Sequence, residues 1–269
     1  MIIESKNFNL YQIANSGQCF RMENIEDGEL FSVVAFGKKL YMQQIDKTHV
    51  SLECNEEEYN LLWRDYFDMN TDYQAIIDKT TGVIRECADF GSGIRILKQD
   101  LWEVIASFII SQNNNIPRIK KSIESLCRIY GTKRIDSMGK EYFTFPSAEV
   151  ISKLKAVDLA ECGLGYRDKY LPFAATWFHT LEVLNINTKA ISKGVFMQLP
   201  GVGPKVASCI RLFGCHDFSE CPIDTHISDW AEEHFAGVGD MVQHMETLGI
   251  NDYSGVIQQY IFYKELNKC

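Results

Sequence analysis

Hydrophobic and polar positions change their period once along this chain. Up to about residue 95 the apolar residues fall in short runs bounded by turn formers. Leu30 to Phe36 and Lys39 to Gln44 flank Gly37-Lys38, and His49 to Cys54 follows. Runs of this kind predict an antiparallel sheet with a hairpin turn at Gly37-Lys38. Helices are expected over 56–66 and 73–89. Beyond Gly91-Ser92-Gly93 the period lengthens. Leu101, Val104, Ile105, Phe108 and Ile109 recur at the i, i+3, i+4 spacing of a buried helix face, with Asp100 as N-cap and Glu103 as its capping-box partner. Asn113-Asn114-Asn115 ends that helix, and Ile116-Pro117 opens another through about Ile129. Further helices are expected over 147–157, 168–185, 189–197, 205–213, 224–235 and from Tyr253 onward. The pattern predicts an α+β protein. An N-terminal antiparallel sheet domain with attached helices covers 1–95, and a helical region of two subdomains covers 96–269, with a helical hairpin at about 190–213. There is no internal repeat and no low-complexity tract.

Composition narrows the class. With 269 residues and 46% apolar residues the chain is an ordinary globular one. Its longest apolar stretch, Leu101 to Ile110, is interrupted by Glu103 and is shorter than the roughly 20 residues a membrane span needs. The first residues hold no apolar signal core, so a cytoplasmic protein is expected. The balance of 27 basic against 36 acidic residues, net −9, argues against a uniformly cationic surface. Even so, the cations cluster: Arg118, Lys120 and Lys121; Arg128, Lys133 and Arg134; Arg167 and Lys169. Solvated helix faces are the simplest account of any single cluster. Nine cysteines include no C-x-x-C pair, as expected of reduced thiols. Cys209, Cys215, Cys221 and Cys269 are too evenly and widely spaced for an iron-sulfur ligand set, so neither a metal nor an organic cofactor is expected to act in the chemistry.

The segment with most chemistry is Leu199-Pro200-Gly201-Val202-Gly203-Pro204-Lys205. Gly201 and Gly203 give a tight turn and close approach, and Pro204 suits the first position of the next helix. Amides at such a turn can hold a phosphate, with a cation bridged by carbonyls as one way of doing so. Lys205 in the first turn is an amine that becomes a nucleophile once desolvated or tuned by a neighbour. Asp224, in Pro222-Ile223-Asp224-Thr225-His226, is placed to cap a helix. There the dipole keeps it ionised, and it can stabilise a cationic sugar or assist proton movement. The plainer alternative is that Lys205 binds phosphate and Asp224 only caps. These two residues leave binding and catalysis equally open.

Four distant stretches bear on that choice: Ser16-Gly17-Gln18-Cys19-Phe20-Arg21, Ser111-Gln112-Asn113-Asn114-Asn115-Ile116-Pro117-Arg118, Gly163-Leu164-Gly165-Tyr166-Arg167, and Tyr253 to Phe262. With the hairpin, they make the chain resemble the bifunctional 8-oxoguanine DNA glycosylase and abasic-site lyases of the helix-hairpin-helix superfamily, in a bacterial form and over nearly its whole length. The resemblance implies a sheet domain like that of the TATA-binding protein and a helical glycosylase region. It implies catalysis by Lys205 and Asp224. Gly17, Cys209, Gln258 and Phe262 become the base pocket, with the Gly17 carbonyl accepting the N7 proton of 8-oxoguanine and Phe262 and Cys209 as its walls. Asn113 fills the gap left by the extruded base, Tyr166 wedges into the duplex, and Arg118 and Arg167 hold the orphaned cytosine. Gly201, Gly203 and His226 bind phosphate. The implied partner is duplex DNA containing 8-oxoguanine, bound by a monomer at the nucleoid. Pro117, Gln112 and Cys19 depart from the family's usual residues, and Pro117 is harmless in a first helical turn. The alternatives are a glycosylase of the same superfamily for another damaged or mispaired base, and a hairpin protein that only binds DNA. Measured base release separates them.

Overall fold

The computed structural model describes residues 1–26 and 28–268, so Cys269 lies outside the described residues. Its contacts divide the chain into two compact units. The first comprises residues 1–32, 40–98 and 216–269; the second comprises 33–39 and 99–215. This differs from the segments 1–95 and 96–269, because residues 216–269 pack with the first unit. The cause is the C-terminal helix Ser254–Leu266. It has nine buried residues and packs on the helices Gly82–Phe90 and Thr225–His234.

Five strands, β1 (Ile2–Glu4), β2 (Met22–Glu26), β3 (Leu30–Ala35), β4 (Lys38–Gln44) and β5 (His49–Leu52), form a sheet in the order β1-β5-β4-β3-β2. β5 runs antiparallel to both its neighbours, with Ile3 opposite Val50 and Gln43 opposite Ser51. The β3–β4 hairpin forms as expected, although its turn lies at Phe36-Gly37, one residue early, with both residues at positive φ (50° and 75°). β1 and β2 were not expected. β1 has three residues and β2 buries only Met22, so neither carries an apolar run.

Inside the first unit, Trp63, Tyr66, Tyr73, Phe8, Phe31, Phe67 and Tyr260 are fully buried, and several rings meet edge to face, as Tyr66 and Phe67 do at 5.1 Å. The segment 94–98 crosses this core without regular secondary structure. Its backbone groups are bonded in turn: Ile96 N–H donates to the Tyr73 hydroxyl (2.8 Å), Leu97 N–H to Gln18 Oε1 (2.8 Å), Lys98 N–H to the Tyr66 carbonyl (2.9 Å), and His216 Nε2 donates to the Ile96 carbonyl (3.1 Å). Arg95 is 3% exposed. Its guanidinium stacks on Tyr73 and donates to the carbonyls of Phe67, Asp68, Thr71 and Asn7 at 2.7–3.2 Å.

In the second unit the helix Leu101–Ser111 buries nine of the ten positions from Leu101 to Ile110, Glu103 being half-buried. It packs against Ile116–Tyr130, Tyr170–Val183 and the turn Ile210–Gly214. Asp100 caps it, accepting from the Glu103 amide at 2.9 Å. A small hairpin, β6 (Lys133–Ile135) and β7 (Glu141–Phe143), was not foreseen, because its strands are polar and largely exposed.

Other differences have local causes. The expected helix 73–89 breaks into Tyr73–Ile77 and Gly82–Phe90, because the Thr80 hydroxyl donates to the Ile77 carbonyl and replaces the next helical amide. The helix begun at Ser147 stops at Ser152, and the Asp158 carboxylate accepts from the Lys155 amide to open a 3-10 turn, Ala156–Cys162. Over 189–197 only Lys193–Phe196 is α-helical.

Replacing Arg95 with Met strands several buried carbonyls and is expected to cost about 3–5 kcal/mol, read from the urea midpoint. A loss within error would show that the carbonyls find other partners. Burial pushes the His216 imidazole below its ordinary range. The unfolded chain therefore takes up a proton that the folded chain resists. Stability from this source is full above about pH 6.5 and declines as the pH falls below it. His216→Asn should flatten that part of the profile.

Candidate active site

The residues singled out in the sequence fall in both units. In the first, Gly17 sits at φ +75°, a conformation that favours glycine, and a Cβ there would lie 3.0 Å from Phe262 Cε1. Phe262 is half-buried and meets the His226 ring edge to face at 5.7 Å. Gln258, one turn earlier on the same helix, is buried and accepts a hydrogen bond from Gln259 Nε2 at 3.1 Å. Asp224 is the N-cap of Thr225–His234: one carboxylate oxygen accepts from the Ile227 amide at 3.1 Å, and the other lies 3.8 Å from His226 Nδ1. Gly17, Phe262 and His226 thus form one cluster, with Gln258 and Asp224 on the helices that carry its two rings.

In the second unit the hairpin joins Lys193–Phe196 to Pro204–Cys209, and the latter runs on through the π-helical turn Ile210–Gly214. Gly201 has φ +78°, and a Cβ there would meet the Tyr170 ring at 2.6 Å and Gln112 Nε2 at 3.0 Å. Gly203 is extended (φ −88°, ψ −179°), so its conformation does not call for glycine. Apart from its chain neighbours, no atom lies within 4 Å of where its Cβ would be. Lys205 is half-buried, its Nζ 5.6 Å from the centre of the Phe108 ring, which stacks on Phe213 at 5.4 Å. Cys209, one turn later, is buried.

The three asparagines divide the work at a helix junction. Asn114 Nδ2 donates to the Ile110 carbonyl at 3.1 Å and closes one helix; Asn115 Oδ1 accepts from the Arg118 amide at 3.0 Å and caps the next. Asn113 is exposed and held at φ +43°. Its position is set by Arg167, whose buried guanidinium donates to the carbonyls of Gln112, Asn113 and Leu164 and stacks on Tyr166 at 4.4 Å. Tyr166 stays 48% exposed. Of the two arginines expected to face a cytosine, Arg118 is therefore exposed, whereas Arg167 must exchange a carbonyl bond to reach a base.

Charge separates the units sharply. The second has 17 Lys and Arg against 10 Asp and Glu, net +7; the first has 10 against 26, net −16. A chain acidic as a whole thus carries a cationic half, the half with the hairpin, Asn113, Arg118 and Tyr166. Among the described residues no group of three or more His, Cys, Asp or Glu is arranged to hold a metal ion, and no helix is long and apolar enough to cross a membrane. Sequence reasoning missed Tyr170 and Gln112, which close over Gly201, and the side chains of Ser16 and Gln18, which flank Gly17. Gln18 lay inside a quoted stretch, but nothing in the sequence marks it as buried. Gln112 stood out only as a departure.

A family model described as the N-terminal domain of 8-oxoguanine DNA glycosylase matches residues 1–105. The N-glycosylase/DNA lyase of Saccharomyces cerevisiae is 37% identical over 158 residues, 53% of this chain and 42% of that protein. The N-glycosylase/DNA lyase OGG1 of Arabidopsis thaliana is 34% identical over 146 residues, 50% of this chain and 39% of that one. The chain therefore spans about two fifths of the length of these curated relatives. The crystal structure of the Clostridium acetobutylicum 8-oxoguanine glycosylase/lyase, in complex with double-stranded DNA containing cytosine opposite 8-oxoG, has a TM-score of 0.88 to this chain at 33% identity. That likeness covers 100% of this chain and 99% of the other. With such identity over the length of both chains and the N-terminal domain matched separately, this chain belongs to the 8-oxoguanine DNA glycosylase family.

Proposed function

We propose that this chain is a bifunctional DNA glycosylase and abasic-site lyase that removes 8-oxoguanine from duplex DNA. The observation that carries the reading is Gly17, held in a left-handed conformation against the Phe262 ring. A pocket that tells 8-oxoguanine from guanine has to address N7, which bears a proton only in the oxidised base. A fixed backbone carbonyl beside an aromatic stacking surface supplies an acceptor for that proton.

The cationic unit engages the phosphate backbone, with amides of the hairpin at Gly201 and Gly203 as phosphate donors. Extruding a base costs a few kcal/mol of lost stacking and pairing. Tyr166 and Asn113, pinned to one another through Arg167, offset part of this by occupying the duplex at the lesion, while Arg118 holds the unpaired cytosine. The extruded base enters the pocket of Gly17, Gln258 and Phe262, and His226 contacts a nearby phosphate.

The Lys205 amine, once deprotonated, then attacks C1′ of the deoxyribose. The C1′–N9 bond breaks, and its electrons leave with the base, which takes up a proton. Asp224, at its helix N-terminus, stabilises the positive charge that develops on the sugar. Opening of the C1′–O4′ bond gives a Schiff base. Loss of a C2′ proton and expulsion of the 3′ phosphate then cut the strand. All steps use groups of this chain. The substrate puts the enzyme at the chromosome, in a bacterial cytoplasm.

Sodium borohydride should trap a covalent adduct between this chain and duplex DNA containing 8-oxoguanine; an adduct that persists in Lys205→Gln would overturn the assignment of the nucleophile. Gly17→Ala places a methyl against Phe262 at an unfavourable φ, and should lower excision of 8-oxoguanine at least tenfold, about 1.4 kcal/mol in single-turnover assays. Undiminished excision would reduce Gly17 to a turn residue. Arg118→Gln should cut the preference for cytosine over adenine opposite the lesion by roughly tenfold, within the 1–3 kcal/mol of a good base contact. An unchanged preference would move that role to Arg167.

A further inference from the structure

We propose that Gln18 is a positioning residue that sets the discrimination between 8-oxoguanine and guanine by immobilising the carbonyl of Gly17. The proposal rests on the reading of Gly17 given above.

Glycine has the freest backbone of any residue, so a carbonyl at Gly17 is no fixed acceptor by itself. Its neighbours immobilise it. Ser16 and Gln18 are both 0% exposed. The Ser16 hydroxyl donates to the Ile13 carbonyl at 2.8 Å. Gln18 Nε2 donates to Ser16 Oγ at 2.9 Å and to the Arg95 carbonyl at 2.8 Å, while Gln18 Oε1 accepts from the Leu97 amide at 2.8 Å. Because the Leu97 amide can only donate and the Arg95 carbonyl can only accept, the Gln18 amide has one possible orientation. Arg95 is itself fixed by the carbonyls of Phe67, Asp68, Thr71 and Asn7. The residues on either side of Gly17 are thus tied through one side chain to the buried segment 94–98, and Phe262 bounds Gly17 at 3.0 Å from a Cβ position.

This matters because the two bases differ in sign at one atom. 8-Oxoguanine presents an N–H at N7 and guanine a lone pair. A carbonyl free to rotate would accept from the first and turn away from the second, and little selectivity would remain. A carbonyl that cannot turn repels guanine as well as attracting 8-oxoguanine, and the repulsive part of that difference depends on rigidity. Gln18 supplies the rigidity without touching the base.

The test uses the Lys205→Gln chain, so that bound DNA is not turned over, with and without Gln18→Met, a swap of similar length that deletes all three hydrogen bonds. Dissociation constants are measured for duplexes carrying 8-oxoguanine opposite cytosine, guanine opposite cytosine, and a tetrahydrofuran abasic analogue. The expected result is about a tenfold fall in the ratio of 8-oxoguanine to guanine affinity, with affinity for the abasic duplex unchanged. An unchanged ratio, or parallel weakening on all three duplexes, would overturn the proposal, since a purely structural role moves all three together. Should Gln18→Met fail to fold, Ser16→Ala removes one partner of the amide, and the same comparison decides with a smaller shift expected. If the Lys205→Gln chain with Gln18 intact binds 8-oxoguanine no better than guanine, the functional reading itself falls and takes this proposal with it.

Discussion

A chain that crosses a protein core without forming helix or sheet must find a partner for every amide and carbonyl it buries, and residues 94–98 face that constraint here. An unsatisfied buried backbone group costs about 1–3 kcal/mol, so several in a row would offset most of a domain's net stability. Side chains from well-separated parts of the sequence meet the demand: Tyr73, His216 and Gln18 bond to this segment's backbone, and Arg95 reaches out of it to four other carbonyls. The same bonds fix the residues beside Gly17. The selectivity proposed for the pocket therefore draws on bonds that also satisfy this segment's backbone.

Elements with a dense local code were legible. The helix from Leu101 has a full apolar face and an aspartate cap, and the caps at Ser147 and Asp224 stand where their sequences put them. The β3–β4 hairpin follows from two apolar runs around a glycine turn. What stayed hidden depends on partners far away in sequence. β2 has one buried residue, β6 has none, and the segment 94–98 reads as a short apolar run whose character is set by Gln18 and Tyr73. Of the residues proposed to act, Gly17, Lys205 and Asp224 stand out through motifs. The burial of Arg167 and the closure of Tyr170 and Gln112 over Gly201 do not, because arginine, tyrosine and glutamine are ordinarily surface or boundary residues.

The asparagine run shows how three identical residues acquire different duties. Two close one helix and open the next, and the third, Asn113, is exposed at the junction. Arg167 completes the arrangement by bonding to the carbonyl of that residue and stacking on the neighbouring tyrosine. Groups proposed to enter the duplex are thus held in place before DNA arrives, which lowers the entropy lost on binding.

The uneven distribution of charge bears on how a protein of the proposed function approaches DNA. Long-range approach to DNA responds to the whole molecule, and a net charge of −9 gives the phosphates no general reason to attract it. Attraction arises only when the +7 unit leads, while the −16 unit is repelled. Under the proposed function the cations of one unit supply the attraction, and added salt weakens it.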